Sequence, residues 1–164
     1  MGTVLRTFFL VLIWAQIMVM QTNYDSDETA TRRLHNGLEL AVHDATLQII
    51  PAELTEGKIV FDQDVAEQVL MQTFKENLLL DSTLQPENES FFNNQIKIVY
   101  LEYIDHSTRP TGYPFNYYNA DYNLLEIVNG PSIVAIVETN SPRHFLGDPP
   151  ILRQAVVYEY KGPL

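Results

Sequence analysis

Three of the four histidines in this 164-residue chain stand where a metal site or a proton relay would place them. His35, Glu39 and His43 recur at intervals of four, which on a helix puts them on one face. Adjacent pairs could share an ion, but the outer two lie about 12 Å apart along the axis, and a stable site normally takes three ligands. The H-E-x-x-H pattern of zinc hydrolases is absent, so a solvated helix face is expected. Asp105-His106-Ser107 sets the residue types of a nucleophilic triad side by side. Triads are assembled from distant segments and no G-x-S-x-G elbow supports this one. Asp and Ser after a strand suit a turn instead. His144, next to Arg143, falls in an expected loop with no evident partner.

The remaining chemistry is thinner. Asp25, Asp27 and Glu28 could attract calcium, but the EF-hand loop needs a glycine and a terminal glutamate that are missing here. Neither the dinucleotide fingerprint nor the phosphate-binding loop occurs. Cysteine is absent, which removes disulfides, thiolate metal sites and Cys nucleophiles. The net charge of −11 repels phosphate backbones, so nucleic acid is not an expected partner. No catalytic residue, cofactor or metal is expected, and the chain reads as a non-enzyme. One stretch is a candidate recognition surface. Tyr113, Phe115, Tyr117 and Tyr118, in a Tyr-rich loop at 113–122, offer contact area and hydroxyls at low entropic cost. The same residues would equally serve to pin a long loop in place.

The elements that must carry these residues begin with an apolar run at residues 4–20, interrupted only by Arg6, Thr7 and Gln16 among its larger side chains. A spanning helix needs about 17–25 such residues. A cleaved export signal has a similar length, but bulky Met18, Val19 and Met20 stand where a signal peptidase requires small residues. Arg6 and the terminal amine precede the run, while Asp25, Asp27 and Glu28 follow it with no cation before Arg32. Positive residues stay on the cytoplasmic side, so the remainder of the chain is expected outside it.

A second helical pattern occupies residues 26–50 and is stopped by Pro51. Asp25 and Glu28 have the spacing of a capping box, yet a helix running straight through is an equal alternative. Ala30, Leu34, Leu38, Ala41 and Ala45 fall in one narrow stripe, with Gly37 and Ile49 at its margins. Leu34, Leu38, Ala41 and Ala45 are therefore expected to pack on the head, while Leu40 and Leu47, one heptad apart on the other side, are candidate contacts for a neighbouring subunit's helix.

Residues 57–61 read as a short strand, followed by a helix from an N-cap at Asp62 or Asp64 to about Leu80. That helix is expected to bury Val65, Ala66, Val69, Leu70, Phe74 and Leu78. Residues 95–104 alternate, with Ile96, Ile98 and Tyr100 on one side. Residues 132–139 form a nearly continuous apolar run suited to a central strand, and 155–160 close the sheet. The spacer 107–130 reads as an ordered loop in which 124–128 adds an edge strand. The layout is α+β, with a long N-terminal helix, a second helix and a three- to four-stranded, mainly antiparallel sheet. Residues 1–24 would be the anchor and 25–164 the extracytoplasmic head.

With its apolar start, the stretch Arg33-Leu34-His35-Asn36-Gly37-Leu38-Glu39-Leu40-Ala41-Val42-His43-Asp44-Ala45 and the closing apolar strands, the chain resembles the pilin superfamily. Within it, the likeness is to the TadE-like minor pseudopilins of tight-adherence pilus systems. The resemblance implies a single-pass helix in the cytoplasmic membrane that also packs against other pilin-like or assembly subunits. Gly2 matches the glycine before the pilin cleavage site, but Arg6 and Thr7 occupy the region where such pilins carry a glutamate. A minor subunit or permanently anchored assembly factor is implied rather than a major pilin. The alternative from another class is an exported binding module, cleaved after the apolar run, that uses the tyrosine-rich loop.

Overall fold

The computed structural model describes residues 2–109, 112–143, 145 and 148–162. Helix α1 (Gly2–Thr46) is unbroken through 45 residues, about 67 Å at 1.5 Å per residue. Asp25 is therefore mid-helix and caps nothing. The capping-box alternative is excluded, and the continuous rod holds. The helix ends at Thr46, a few residues before the expected stop. Pro51 opens a single further turn, α2 (Pro51–Leu54), as its first helical residue, where its missing N–H costs nothing.

Helix α3 (Gln63–Leu78) starts at Asp62, whose carboxylate accepts the Val65 N–H. Of the two capping candidates, Asp62 is the one used. The helix runs antiparallel to α1 and buries Ala66, Leu70, Phe74 and Leu78. Val65 is exposed and Val69 half-buried, because the contact face is one side of a narrow helix–helix seam. The seam is close at Gly37, where an added Cβ would stand 2.8 Å from Leu78 Cδ2.

Residues 57–61 do not form a strand. They contribute one antiparallel rung, Ile49 opposite Phe61, with Ile50 N–H donating to the Val60 carbonyl and Asp62 N–H to that of Gln48. The rung only closes the loop between α1 and α3.

Three strands form an antiparallel sheet in the order β1 (Lys97–Ile104), β4 (Ser132–Asn140), β5 (Ile151–Glu159). Strand β4 is central, and residues 132–137 are all buried because both its faces are covered. That double cover explains why its sequence is continuously apolar rather than alternating. Ile133, Ala135 and Val137 face the helices, together with Leu34, Leu38, Ala41 and Ala45. Val134 faces the opposite way, toward a β-hairpin.

That hairpin is β2 (Phe115–Asn119) and β3 (Leu124–Val128). The expected loop over 107–130 thus contains two paired strands, and β3 pairs with β2 rather than extending the main sheet. Asn119 Oδ1 accepts the N–H groups of Asp121 and Tyr122, and Asn123 takes a positive φ of 50°, a conformation asparagine tolerates.

The alternation read over 95–104 also fails at one point. Pairing skips Val99, between Ile98 opposite Val137 and Tyr100 opposite Ile136. This β-bulge puts Ile98 on the helix face with Leu101 and Tyr103, and Tyr100 on the hairpin face with Ile104. The molecule has three layers, a helix pair, a three-stranded sheet and a hairpin, and the α+β expectation holds.

Candidate functional site

The most unusual surface is the first half of α1. Residues 2–22 contain no buried residue, although Phe8, Phe9, Leu10, Leu12, Ile13, Trp14 and Ile17 lie among them, each 48–63% exposed. An 18-residue window reaches a mean hydropathy of 1.9 with none of it buried. Contiguous apolar surface of this extent marks a partner or a membrane. A single long apolar helix of this kind is compatible with a single-pass anchor.

From Asn23 onward the same helix becomes the core of the head. Leu34, Leu38, Ala41 and Ala45 are fully buried, as are Ala30 and Val42. The buried arc is wider than one stripe because α1 is gripped by α3 on one side and by β4 and β5 on another. Gly37 and Thr46 are buried for the same reason. Leu40 is 44% exposed and lines a cleft of about 340 Å³ with Gly37, Leu78, Leu79 and Phe91. Leu47, 47% exposed, lies in the turn after the helix rather than on it.

At the junction between the two halves the helix is clamped. The Arg143 guanidinium straddles the Asp27 carboxylate, with Nε 3.0 and 3.1 Å from its two oxygens, while Ser141 Oγ donates to Asp27 Oδ1. One residue earlier, Ser26 Oγ donates to the Pro142 carbonyl at 3.3 Å. The Arg143 hydrogen bonds hold the Asp27 carboxyl below its ordinary value, outweighing the desolvation that raises it, with Ser141 assisting. No sequence signal pairs residues 116 apart, so Asp27 read only as a calcium candidate and one of the acids after the apolar run.

The histidine candidates have structural surroundings. His35 Nε2 stands 3.8 Å from Glu39 on an exposed face. His43 turns away to Asp44 at 3.0 Å and packs edge-on against Tyr158. Among the described residues no group of three His, Asp or Glu side chains is placed to hold a metal. His144 lies outside the described residues.

Asp105 is buried and accepts from Ser107 N–H, Ser107 Oγ, Thr108 N–H and Phe61 N–H, at 2.6 to 3.2 Å. Burial pushes its carboxyl up, and these donors together outweigh it, so it stays below its ordinary value. Ser107 gives its hydroxyl to Asp105, and His106 Nδ1 is engaged with the backbone of Ile59. The three form a turn that ties β1 to the α1–α3 connection, not a relay.

The aromatic segment also works largely from within. Tyr117 and Tyr100 both donate to Glu102 Oε2, at 2.6 and 2.7 Å, and burial followed by the Glu102 bond pushes the Tyr117 hydroxyl up. Tyr122 Oη donates to the Val99 carbonyl at the bulge. Arg109 lies 3.8 Å over the Phe115 ring, and Tyr113 packs between His106 and Phe115. Tyr118 alone among the four candidates is widely exposed, at 61%. The segment fastens the hairpin to the sheet, and this cluster was legible only as aromatic content.

The fold and its surfaces define an α+β head built around the far half of an apolar helix. Compared with protein-family models, with characterised proteins and with solved structures, the chain matches none.

Proposed function

We propose that this protein is a single-pass, membrane-anchored, pilin-like subunit, of the minor pseudopilin kind, that acts in assembling a pilus or secretion machine with its head outside the cytoplasm. One observation carries the reading. A single unbroken helix is bare and oily for residues 2–22 and is the core of the head thereafter. At 1.5 Å per residue the bare part is about 31 Å long, which matches a hydrocarbon layer of about 30 Å. Such a continuous element transmits position rigidly from membrane to head, which suits a subunit that must be extracted, tilted or packed as a unit. Arg6 near the start of the oily run, against Asp25 and Glu28 after it, favours an outward head. Leu40, on the outer side of α1, and Leu47, in the turn after it, would then meet a neighbour's helix.

The test is native electrophoresis of cross-linked membranes from cells producing the tagged full chain. The wild type should run in a higher-order complex. Leu40→Asp combined with Leu47→Asp should abolish the complex while leaving the circular dichroism of the purified protein unchanged. A wild type found only as a monomer refutes the subunit reading, and a folded double variant that still assembles removes Leu40 and Leu47 as its contact.

A further inference from the structure

The clamp at Asp27 has a consequence for the β4–β5 connection. Strand β5 runs parallel to α1, since Asn140 and Ile151 pair at the end of the sheet near the clamp and Tyr158 meets His43 further along. The loop after β4 is therefore held at the end of the head from which the oily helix emerges. Ser26 and Asp27 are fixed to Ser141, Pro142 and Arg143, and Asn23, one turn earlier on the same face, is covered too. From Met20 to Asn23 is about 4.5 Å along the axis, and to Asp27 about 10 Å. If the apolar run fills the hydrocarbon layer, this whole collar falls within or just above a headgroup zone that is about 5–8 Å deep.

Three large side chains at that level, two apolar and one a tyrosine, are uncovered. Tyr24 is 68% exposed, Ile151 68% and Phe145 47%. An aromatic residue beside an emerging helix is suited to the boundary between chain and headgroup. Arg143 does not offer its charge to lipid phosphates, because Asp27 already neutralises it. Asp25, Glu28 and Asp148 are also exposed there, which disfavours anionic lipid.

We propose that this end of the head makes a second membrane contact, in which Phe145 and Ile151, with Tyr24 on the emerging helix, seat in the headgroup layer of a zwitterionic bilayer and fix the tilt of the head. The inference rests on the anchored reading above and adds a contact that the anchor alone does not require.

The test uses the full chain in phosphatidylcholine vesicles, with indole fluorescence as the depth gauge. Trp14 is the sole tryptophan and reports the anchor. Phe145→Trp, and separately Ile151→Trp, each in a Trp14→Phe background, report the second contact. Leu125→Trp in the same background is the aqueous reference, since Leu125 is 68% exposed on the hairpin. Trp14 should be quenched by lipids brominated deep in the chain. The second-contact indoles should be blue-shifted, quenched by lipids brominated near the headgroup, and quenched by acrylamide roughly half as strongly as the reference, as befits a group shielded on its lipid side. Deep quenching of Trp14 combined with second-contact indoles as open to acrylamide as the reference overturns the second contact alone. Failure of brominated lipid to quench Trp14 overturns the anchored reading and the second contact together.

Discussion

Replacing Ile13 by aspartate puts the anchored reading under direct strain. Ile13 sits near the middle of the bare helical segment and is 57% exposed. Residues 4–20 contain ten Leu, Ile, Phe or Val side chains. At about −0.3 to −0.6 kcal/mol each, these supply roughly −3 to −6 kcal/mol for insertion before Arg6 and Gln16 subtract their share. An aspartate at the helix centre costs about 2.5–3.5 kcal/mol. With the isoleucine's own contribution lost, the swing is about 3–4 kcal/mol, comparable to the whole driving force. That is a shift of two to three powers of ten in the inserted fraction, at about 1.4 kcal/mol per decade. The assay is the fraction of full chain that resists carbonate extraction from membranes, with Leu125→Asp as a control that adds the same charge to the exposed hairpin. Ile13→Asp should move the protein to the soluble or aggregated fraction, while the control stays with the wild type. If Ile13→Asp resists extraction as fully as the wild type, the oily half of α1 is not in the bilayer and the argument fails.

Two further outcomes follow from the head. Gly37→Val should destabilise it by about 1–3 kcal/mol through overpacking at the Leu78 contact, read as a lower urea midpoint, and an unchanged midpoint would mean the seam is looser than described. The carboxyls of Asp27 and Asp105 both lie below their ordinary value of 3.8 in the folded state, so the unfolded chain takes up more protons in that window and stability rises with pH there. Their contribution should be complete above the ordinary value and be lost as pH falls through the lowered ones. Urea midpoints taken down to about pH 2 should decline less steeply in Asp105→Asn than in the wild type.

Much of the layering was legible because burial leaves periodic marks. The continuous run at 132–139 announced a central strand, and the stripe from Ala30 to Ala45 announced a helix with its core on one side. What was hidden follows from interactions that have no period. Val99 looks like any other alternating residue, and only the partner strand shows that it is skipped. Strand β2 was obscured by the Asn residues within it and Pro114 just before it, although Phe and Tyr are themselves strand formers. Residues 57–61 have the composition of a strand but no neighbour long enough to complete one. The Asp27–Arg143 clamp joins two charges that local reading assigns to an acidic cluster and a loop.

That clamp also bears on why α1 stays helical through Thr22-Asn23, residues that are indifferent helix formers. A break there would leave backbone groups in need of partners. It would also lose the register that places Ser26 and Asp27 under the β4–β5 loop. With the loop fixed by two side chains of α1, the junction belongs to the head rather than to a flexible linker. A rotation of the bare half of α1 about its own axis must then rotate the head with it. On the anchored reading proposed above, a movement made in the membrane would pass to the head without any change of fold. A hinged anchor, by contrast, would dissipate that movement in its joint.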